Sequence, residues 1–360
     1  MGFLPDGAID LVLTSPPYPM IAMWDETFTA LSPAAGAALK RGDGRGAFSA
    51  MHRALDPVWA ELYRVLRPGG FACINIGDAT RTVGGRFMLY PNHARILAFT
   101  LELGFTPLPA ILWRKPTNAP TKFLGSGMFP AGAYVTLEHE HILVLRKSDK
   151  REFDDPAAKQ RRRESAIFWE ERNTWFSDVW MDLRGSRQAL GRSEAARARS
   201  GAFPPELAYR LILMFSVKGD TVLDPFLGTG TTLKSAAMAG RNSVGIEIQK
   251  GFRGEIFAGL EEVVPAGRAR IRARIDEHLA FIARCRSEKR AVKHVSRHYG
   301  FPVVTRQETG ILLNLPEEVR VRGGEGFDVS YREGPHELAA AASAPATPPA
   351  VPSGGQIPLF

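Results

Sequence analysis

Two short stretches carry residue types from which chemistry can be built. The first is TSPPYP (14–19), which sets a hydroxyl, adjacent prolines and an aromatic ring at the end of the apolar run IDLVL (9–13). The second is VLDPFLGTGTTLKSAAMAGRNSVGIEI (222–248). In it a strand ends at Asp224, and Gly228 and Gly230 permit a tight turn and a close approach of backbone to ligand. Thr231 and Thr232 then open a helix that Gly240 ends, and a further strand carries Glu247. This is a βαβ unit with an acid at the end of each strand. Glu247 lies about 20 residues beyond the glycines, where a carboxylate accepts both ribose hydroxyls, so an adenosine-containing ligand is expected. Phosphate readings fit less well: the stretch lacks G-x-x-x-x-G-K-[ST], and Leu233 stands where a dinucleotide fingerprint has its third glycine. Asp224 would repel a pyrophosphate and suits a cationic ligand such as the methionine part of S-adenosylmethionine. The bland alternative is a plain βα turn with chance glycines.

The elements that must hold these stretches are legible as apolar runs. Strands are expected at IDLVL, FACINI (71–76), PAILW (109–113), HILVL (141–145), TVLDPF (221–226) and SVGIEI (243–248). Leu55, Val58, Trp59, Leu62, Val65 and Leu66 recur at helical spacing before RPGG, which reads as a helix stop, and ELAYRLILMF (206–215) is a second helix. Strand–helix alternation predicts an α/β fold with a mostly parallel sheet covered on both faces. Residues 148–202 are Arg-rich but keep IFWEERNTWFSDVW, which reads as a small packed module. Residues 265–300 read as a basic helix, and 339–355 as a flexible Ala/Pro tail.

The chain has 360 residues, 44% of them hydrophobic and 23% charged, enough for a large core and against wholesale disorder. A formal charge of +8 favours a polyanionic partner. Two distant cysteines, Cys73 and Cys285, give no disulfide framework and fit a reducing compartment. No run of about 18 apolar residues appears, nor a secretory start, so a soluble cytoplasmic protein without membrane partner is expected.

TSPPY, followed some 200 residues later by FPPELAYRLILMFSVKGDTVLDPFLGTGTT, resembles the DNA amino-methyltransferases in their beta arrangement, where the catalytic motif precedes the cofactor motif. LYRVLRPGG, LWRKPTNAP and EHEHILVLRK add to the resemblance, which spans residues 4–250. It implies a Rossmann-like methyltransferase fold, S-adenosyl-L-methionine as cofactor and double-stranded DNA as substrate. Catalytic residues Ser15, Pro16, Pro17 and Tyr18 are implied. Cofactor contacts are expected from Asp224, Phe226, Gly228, Gly230, Thr231, Glu247, Phe203 and Pro204. An exocyclic amino nitrogen is a poor nucleophile because its lone pair is delocalised. Acceptors for both its hydrogens, the Ser15 side chain and the Pro16 carbonyl, would direct that lone pair at the sulfonium methyl, while the prolines stiffen the loop. The Tyr18 ring offers a stacking face to a flipped base.

SPPY forms belong mostly to cytosine-N4 methylases, so N4-methylcytosine in a short target is expected, from a restriction-modification system or a solitary methylase. The alternatives are adenine-N6 methylation and a non-catalytic nucleic-acid-binding protein of the same fold. Relatives begin with an extra strand before LPDG, so either the start is truncated or another segment closes that sheet edge. The expected organisation is a catalytic half (1–118), a target-recognition region (119–202, with a core strand near 138–147), a cofactor half (203–260), a basic helical extension (261–335) and a tail (336–360). Lys115, Arg161, Arg162, Arg163, Arg184 and Arg187 are the expected DNA contacts. The pairs His294/His298 and His139/His141 lack a third ligand of suitable spacing, so no metal is expected. The closing QIPLF resembles clamp-binding peptides, making a sliding clamp one expected partner and a cognate restriction endonuclease another.

Overall fold

Hydrophobic runs of five or six residues, read in the expected order, become the strands of one sheet. The computed structural model describes residues 1–115, 124–183, 203–323 and 326–333. In chain order the strands are β1 (Ile9–Thr14), β2 (Leu66–Ile76), a hairpin of β3 (Ala79–Val83) and β4 (Arg86–Tyr90), β5 (Phe105–Arg114), a short hairpin of β6 (Leu124–Gly125) and β7 (Ala133–Tyr134), β8 (His139–Lys147), β9 (Val179–Trp180), β10 (Thr221–Asp224) and β11 (Asn242–Gly245). Two hairpins follow, β12 (His294–Val295) with β13 (Pro302–Val303), and β14 (Asn314–Arg322) with β15 (Gly326–Glu333). The helices are α1 (Asp25–Leu31), α2 (Pro33–Lys40), α3 (Gly44–Val65), α4 (Asn92–Glu102), α5 (Pro156–Glu164), α6 (Trp169–Trp175), α7 (Pro205–Phe215), α8 (Thr231–Met238), α9 (Arg253–Ala258) and α10 (Val263–Ser287).

The sheet order is β11-β10-β1-β2-β8-β5-β9. Strands β11, β10, β1 and β2 run parallel; β8 is antiparallel to β2 and β5, and β9 is parallel to β5. Alternate side chains of β1 serve opposite layers, as a pleated strand requires. Val12 packs with Leu55, Trp59 and Leu62 of α3, joined by Ile9 from the far side of a register shift, whereas Leu11 and Leu13 pack with Leu207, Leu211 and Ile212 of α7. A strand covered on both faces cannot alternate polar and apolar residues, which explains the consecutive Leu11, Val12 and Leu13; Asp10, at the strand's start, is paired with Arg67 and Arg151.

Several boundaries differ from the sequence expectation. Helix α3 begins at Gly44, where Asp43 caps it by accepting from Gly46 N at 2.8 Å, and it stops at Val65, so RPGG lies inside β2. The register jump between the Ile9↔Leu66 and Leu11↔Phe71 pairs absorbs that turn. Strand β11 ends at Gly245; Ile246 N still donates to Asp224 O, but the chain then turns back to the loop through Leu227 N to Ile246 O. Among the described residues no strand pairs with the outer side of β11. The basic helix stops at Ser287, so His294 lies on β12 and does not share a helix face with His298. The aromatic stretch is not a module of its own. Trp180 enters the central core beside Trp113, Trp175 packs on Tyr209 and Leu213, and Phe168 joins Ile271, Tyr299 and Phe301. A buried bidentate pair, Arg274 to Glu171 at 2.5 and 2.8 Å, ties α6 to α10. Among the described residues no helix is long and apolar enough to cross a membrane.

Candidate active site

The carboxyl ends of β1, β10 and β2 lie side by side, which brings residues from three distant parts of the chain to one edge. Residues 15–19 leave β1 at that edge. Asn92 at the start of α4 fastens them: its Nδ2 donates to Pro19 O at 3.0 Å and to Gly77 O at 2.9 Å, beyond the end of β2. With both amide hydrogens so used, Asn92 Oδ1 must accept from His52 Nε2 at 3.0 Å. Burial lowers the His52 pKa to about 4, so the ring is neutral at pH 7 and keeps that tautomer.

The second stretch is joined to the first through one carboxylate. Asp224 Oδ1 accepts from Thr14 Oγ1 at 2.7 Å and from Phe226 N at 3.0 Å, while Oδ2 accepts from Thr232 Oγ1 at 2.6 Å. Burial raises the Asp224 carboxyl to about 6, against the lowering effect of those three donors. Gly228 and Gly230 adopt φ of +56° and +85°, the left-handed region that other residues resist, and α8 starts at Thr231 directly after them. The Glu247 carboxylate is held by Gly228 N at 2.8 Å and Gln249 N at 2.7 Å, next to Ile248, which is 79% exposed.

Around Tyr18 a polar cluster fills the space behind the SPPY loop. Its hydroxyl lies 3.0 Å from Ser15 Oγ, 2.9 Å from Asn75 Nδ2 and 3.0 Å from Glu140 Oε2. Asn75 Nδ2 also donates to Glu140 Oε2 at 2.7 Å, and Lys115 Nζ donates to Glu140 Oε1 at 2.8 Å. Burial, followed by the neighbouring Glu140 charge, raises the Tyr18 phenol well above its ordinary value, so it stays protonated. Gly77 lies against the ring: a Cβ there would meet the Tyr18 ring at 2.9 Å.

The structure therefore brings together Ser15, Pro16, Pro17, Tyr18, Asp224, Gly228, Gly230, Thr231 and Glu247 at one sheet edge. Phe226 packs at 6.2 Å from Trp59 of α3; Phe203 and Pro204 are buried at the start of α7, Phe203 in the core beside Leu207. Lys115 reaches the same edge, but as the partner of Glu140. Arg161, Arg162 and Arg163 are not brought there. Strand β8, being antiparallel, delivers the chain to the opposite edge, where Ser165 Oγ accepts from Lys218 N ahead of β10, so α5 and its three exposed arginines lie away from Ser15. Arg184, Arg187 and QIPLF lie outside the described residues.

Thr14, His52, Asn75, Asn92, Glu140 and Ile248 were not legible as site residues. The only signal was placement: Asn92 and Glu140 sit where a helix and a strand begin, and which edge those starts occupy is settled by sheet order. Two groups of three ligand-type side chains also occur among the described residues, Asp78/His93/His141 and Glu170/His278/Glu308. In the first, the His93 and His141 rings are stacked at 3.8 Å and 15°, which turns their in-plane lone pairs away from a common centre; in the second, His278 faces Glu170 Oε1 at 2.7 Å and Pro302 O at 2.9 Å.

A doubly wound, mostly parallel sheet with a glycine turn, two strand-end acids and an S-P-P-Y loop on the same edge defines an S-adenosylmethionine-dependent methyltransferase. Within that class the chain belongs to the DNA methylase family that acts on amino nitrogens, whose sequence model matches residues 9–257. It is 48% identical over 334 residues, 92% of each chain, to the Type II methyltransferase M.MthZI of Methanothermobacter thermautotrophicus. It is 47% identical over 266 residues, 70% of this chain and 85% of the relative, to the Type II methyltransferase M.MjaI of Methanocaldococcus jannaschii. Among solved structures it is similar to a Thermus thermophilus protein proposed to be a DNA modification methylase, in complex with S-adenosyl-L-methionine. That likeness has a TM-score of 0.57 at 31% identity and covers 73% of this chain and 90% of the other.

The protein is thus a DNA methyltransferase that uses S-adenosyl-L-methionine, and its residues fit that cofactor. Nothing lies within 4 Å of where a Gly228 Cβ would stand, Glu247 is fixed by two backbone amides, and Ile248 leaves an uncovered apolar surface beside it.

Proposed function

We propose that the protein methylates the N4 amino group of cytosine in a short target of double-stranded DNA, after the base has swung out of the helix. The observation that carries this reading is the placement of Ser15 at the end of β1, one residue from the Thr14 that is bonded to Asp224 of the cofactor half. When bound, S-adenosylmethionine supplies an electrophilic methyl on a sulfonium. Glu247 would hold its ribose hydroxyls, Asp224 would favour its cationic end, and Phe226, Phe203, Pro204 and the Gly228–Thr231 turn would line its pocket. Ser15 Oγ and the Pro16 carbonyl would accept the two amino hydrogens, and Pro17 would keep the loop stiff. Tyr18 would stack on the extruded base, at about 1–3 kcal/mol per such contact. Positioning dominates, and no strong general base is required.

A serine at the first position of the motif supports cytosine over adenine; adenine-N6 methylation by the same residues is the second reading. With α5 at the opposite edge, reading of the target is proposed for the rest of residues 119–202. A role in a restriction-modification system, with an endonuclease cutting the same site, follows the Type II relatives, and the C-terminal QIPLF is proposed to bind a sliding clamp.

Nucleoside mass spectrometry of unmethylated DNA incubated with the protein and S-adenosylmethionine tests the reading. N4-methylcytosine, lost in Tyr18→Ala, is the expected product. N6-methyladenine would keep the mechanism and replace the base. No methylated base, with normal DNA binding, would move the protein to the non-catalytic class.

A further inference from the structure

The hydrogen count in the Tyr18 cluster fixes a direction. Glu140 lies 2.8 Å from the Lys115 ammonium, and as a carboxylate it can only accept. Asn75, fully buried between β1 and β8 on β2, spends both amide hydrogens on Tyr18 and Glu140. Reversing that amide would set its oxygen against the carboxylate. Tyr18 has one hydrogen, and the carboxylate takes it. The remaining contact, Ser15 Oγ to Tyr18 Oη at 3.0 Å, then needs a hydrogen that only Ser15 can give. The Ser15 hydrogen is therefore committed to Tyr18, and its lone pairs are left for whatever enters the pocket.

We propose that Glu140, anchored by Lys115, is a positioning residue that acts through Tyr18 to make Ser15 a hydrogen-bond acceptor only. This rests on the amino-methylation reading above and adds to it. A serine hydroxyl free to rotate can donate to the substrate nitrogen and occupy the lone pair that must attack the methyl. A chain ending in a fixed carboxylate removes that option and makes Ser15 Oγ a better acceptor, because each donated hydrogen bond polarises the next. It also gives Lys115 a task other than contact with DNA phosphate.

The test is a double-mutant cycle on the single-turnover methylation rate, with S-adenosylmethionine and DNA affinities measured alongside. In the wild-type background Glu140→Gln is expected to slow the step about tenfold or more, the scale of a hydrogen bond to a charged group. Both affinities should stay within about twofold of wild type, and Glu140→Asp should recover part of the rate. In a Tyr18→Phe background, where the chain is already cut, Glu140→Gln should change the rate less than about twofold; a purely structural role would cost the same in both backgrounds. Lys115→Met should slow the step without altering the salt dependence of DNA binding. Equal losses in both backgrounds would overturn the proposal. So would a Lys115→Met variant of normal rate whose salt slope falls by about 0.9, the mark of a lost phosphate contact. If the wild type yields no methylated amino base, the underlying reading fails first, and that result is visible before any variant is made.

Discussion

Thr14 Oγ1 donates to Asp224 Oδ1 at 2.7 Å, across 210 residues of sequence, with both side chains buried. The residue before the SPPY motif is thus fastened to the acid that leads the glycine loop. Neither half can shift without breaking a hydrogen bond inside the sheet edge, so the glycine turn and the SPPY loop share one frame.

Thr14→Val keeps the shape of the side chain and removes the donor. One buried carboxylate oxygen then loses a hydrogen bond, at a cost of about 1–3 kcal/mol in unfolding free energy. Urea unfolding should show this as a lower midpoint at unchanged m, and S-adenosylmethionine affinity measured by calorimetry should fall with it.

The raised Asp224 pKa predicts how cofactor binding depends on pH. Its folded value of about 6 lies above the unfolded value, so the stability it contributes is present in acid and is lost as pH rises through 6. A cationic ligand has the opposite preference, for the ionised form. S-adenosylmethionine should therefore bind about tenfold more weakly at pH 5 than at pH 7, following one proton on the carboxyl. Asp224→Asn should bind weakly at both pH values, and calorimetry across this range reads the difference.

His52 acts in the other direction. Burial lowers it to about 4, so the stability it contributes is whole above pH 6.5 and is lost as pH falls towards 4. The unfolding free energy of His52→Gln relative to wild type should therefore narrow over that window, by up to about 3 kcal/mol. An unchanged gap would show that the ring titrates normally.

Arg274→Met leaves Glu171 charged and buried without its partner. Breaking such a pair costs about 3–5 kcal/mol, so the thermal transition should drop by many degrees. Replacing both residues by apolar ones of similar size should recover much of that loss.

The arginines of α5 give a test of placement. Because Arg161, Arg162 and Arg163 sit at the edge opposite Ser15, their triple replacement by alanine should leave the single-turnover methylation rate within about twofold. It should also leave the salt slope of DNA binding unchanged, whereas three lost phosphate contacts would lower it by about 2.7.

The features readable from the chain alone are local ones. Apolar runs such as Leu11, Val12 and Leu13 required strands buried on both faces, and glycines at 228 and 230 required a turn with positive φ. Glu247 at its distance from them leads to the expectation of a ribose site, and SPPY to that of a stiff loop of acceptors. These are properties of a few consecutive residues, so they could be read without the fold.

Which distant residues meet was settled by the fold. Strand order places β10 beside β1 and so joins Asp224 to Thr14. It also inserts β8 between β2 and β5, which brings Glu140 to Tyr18 and Lys115 to Glu140. The antiparallel sense of β8 sends the next segment to the far edge, which is why an Arg-rich run that reads as a DNA contact does not reach the site. Direction and neighbourhood in a sheet follow from how whole faces pack, and no short spacing encodes them.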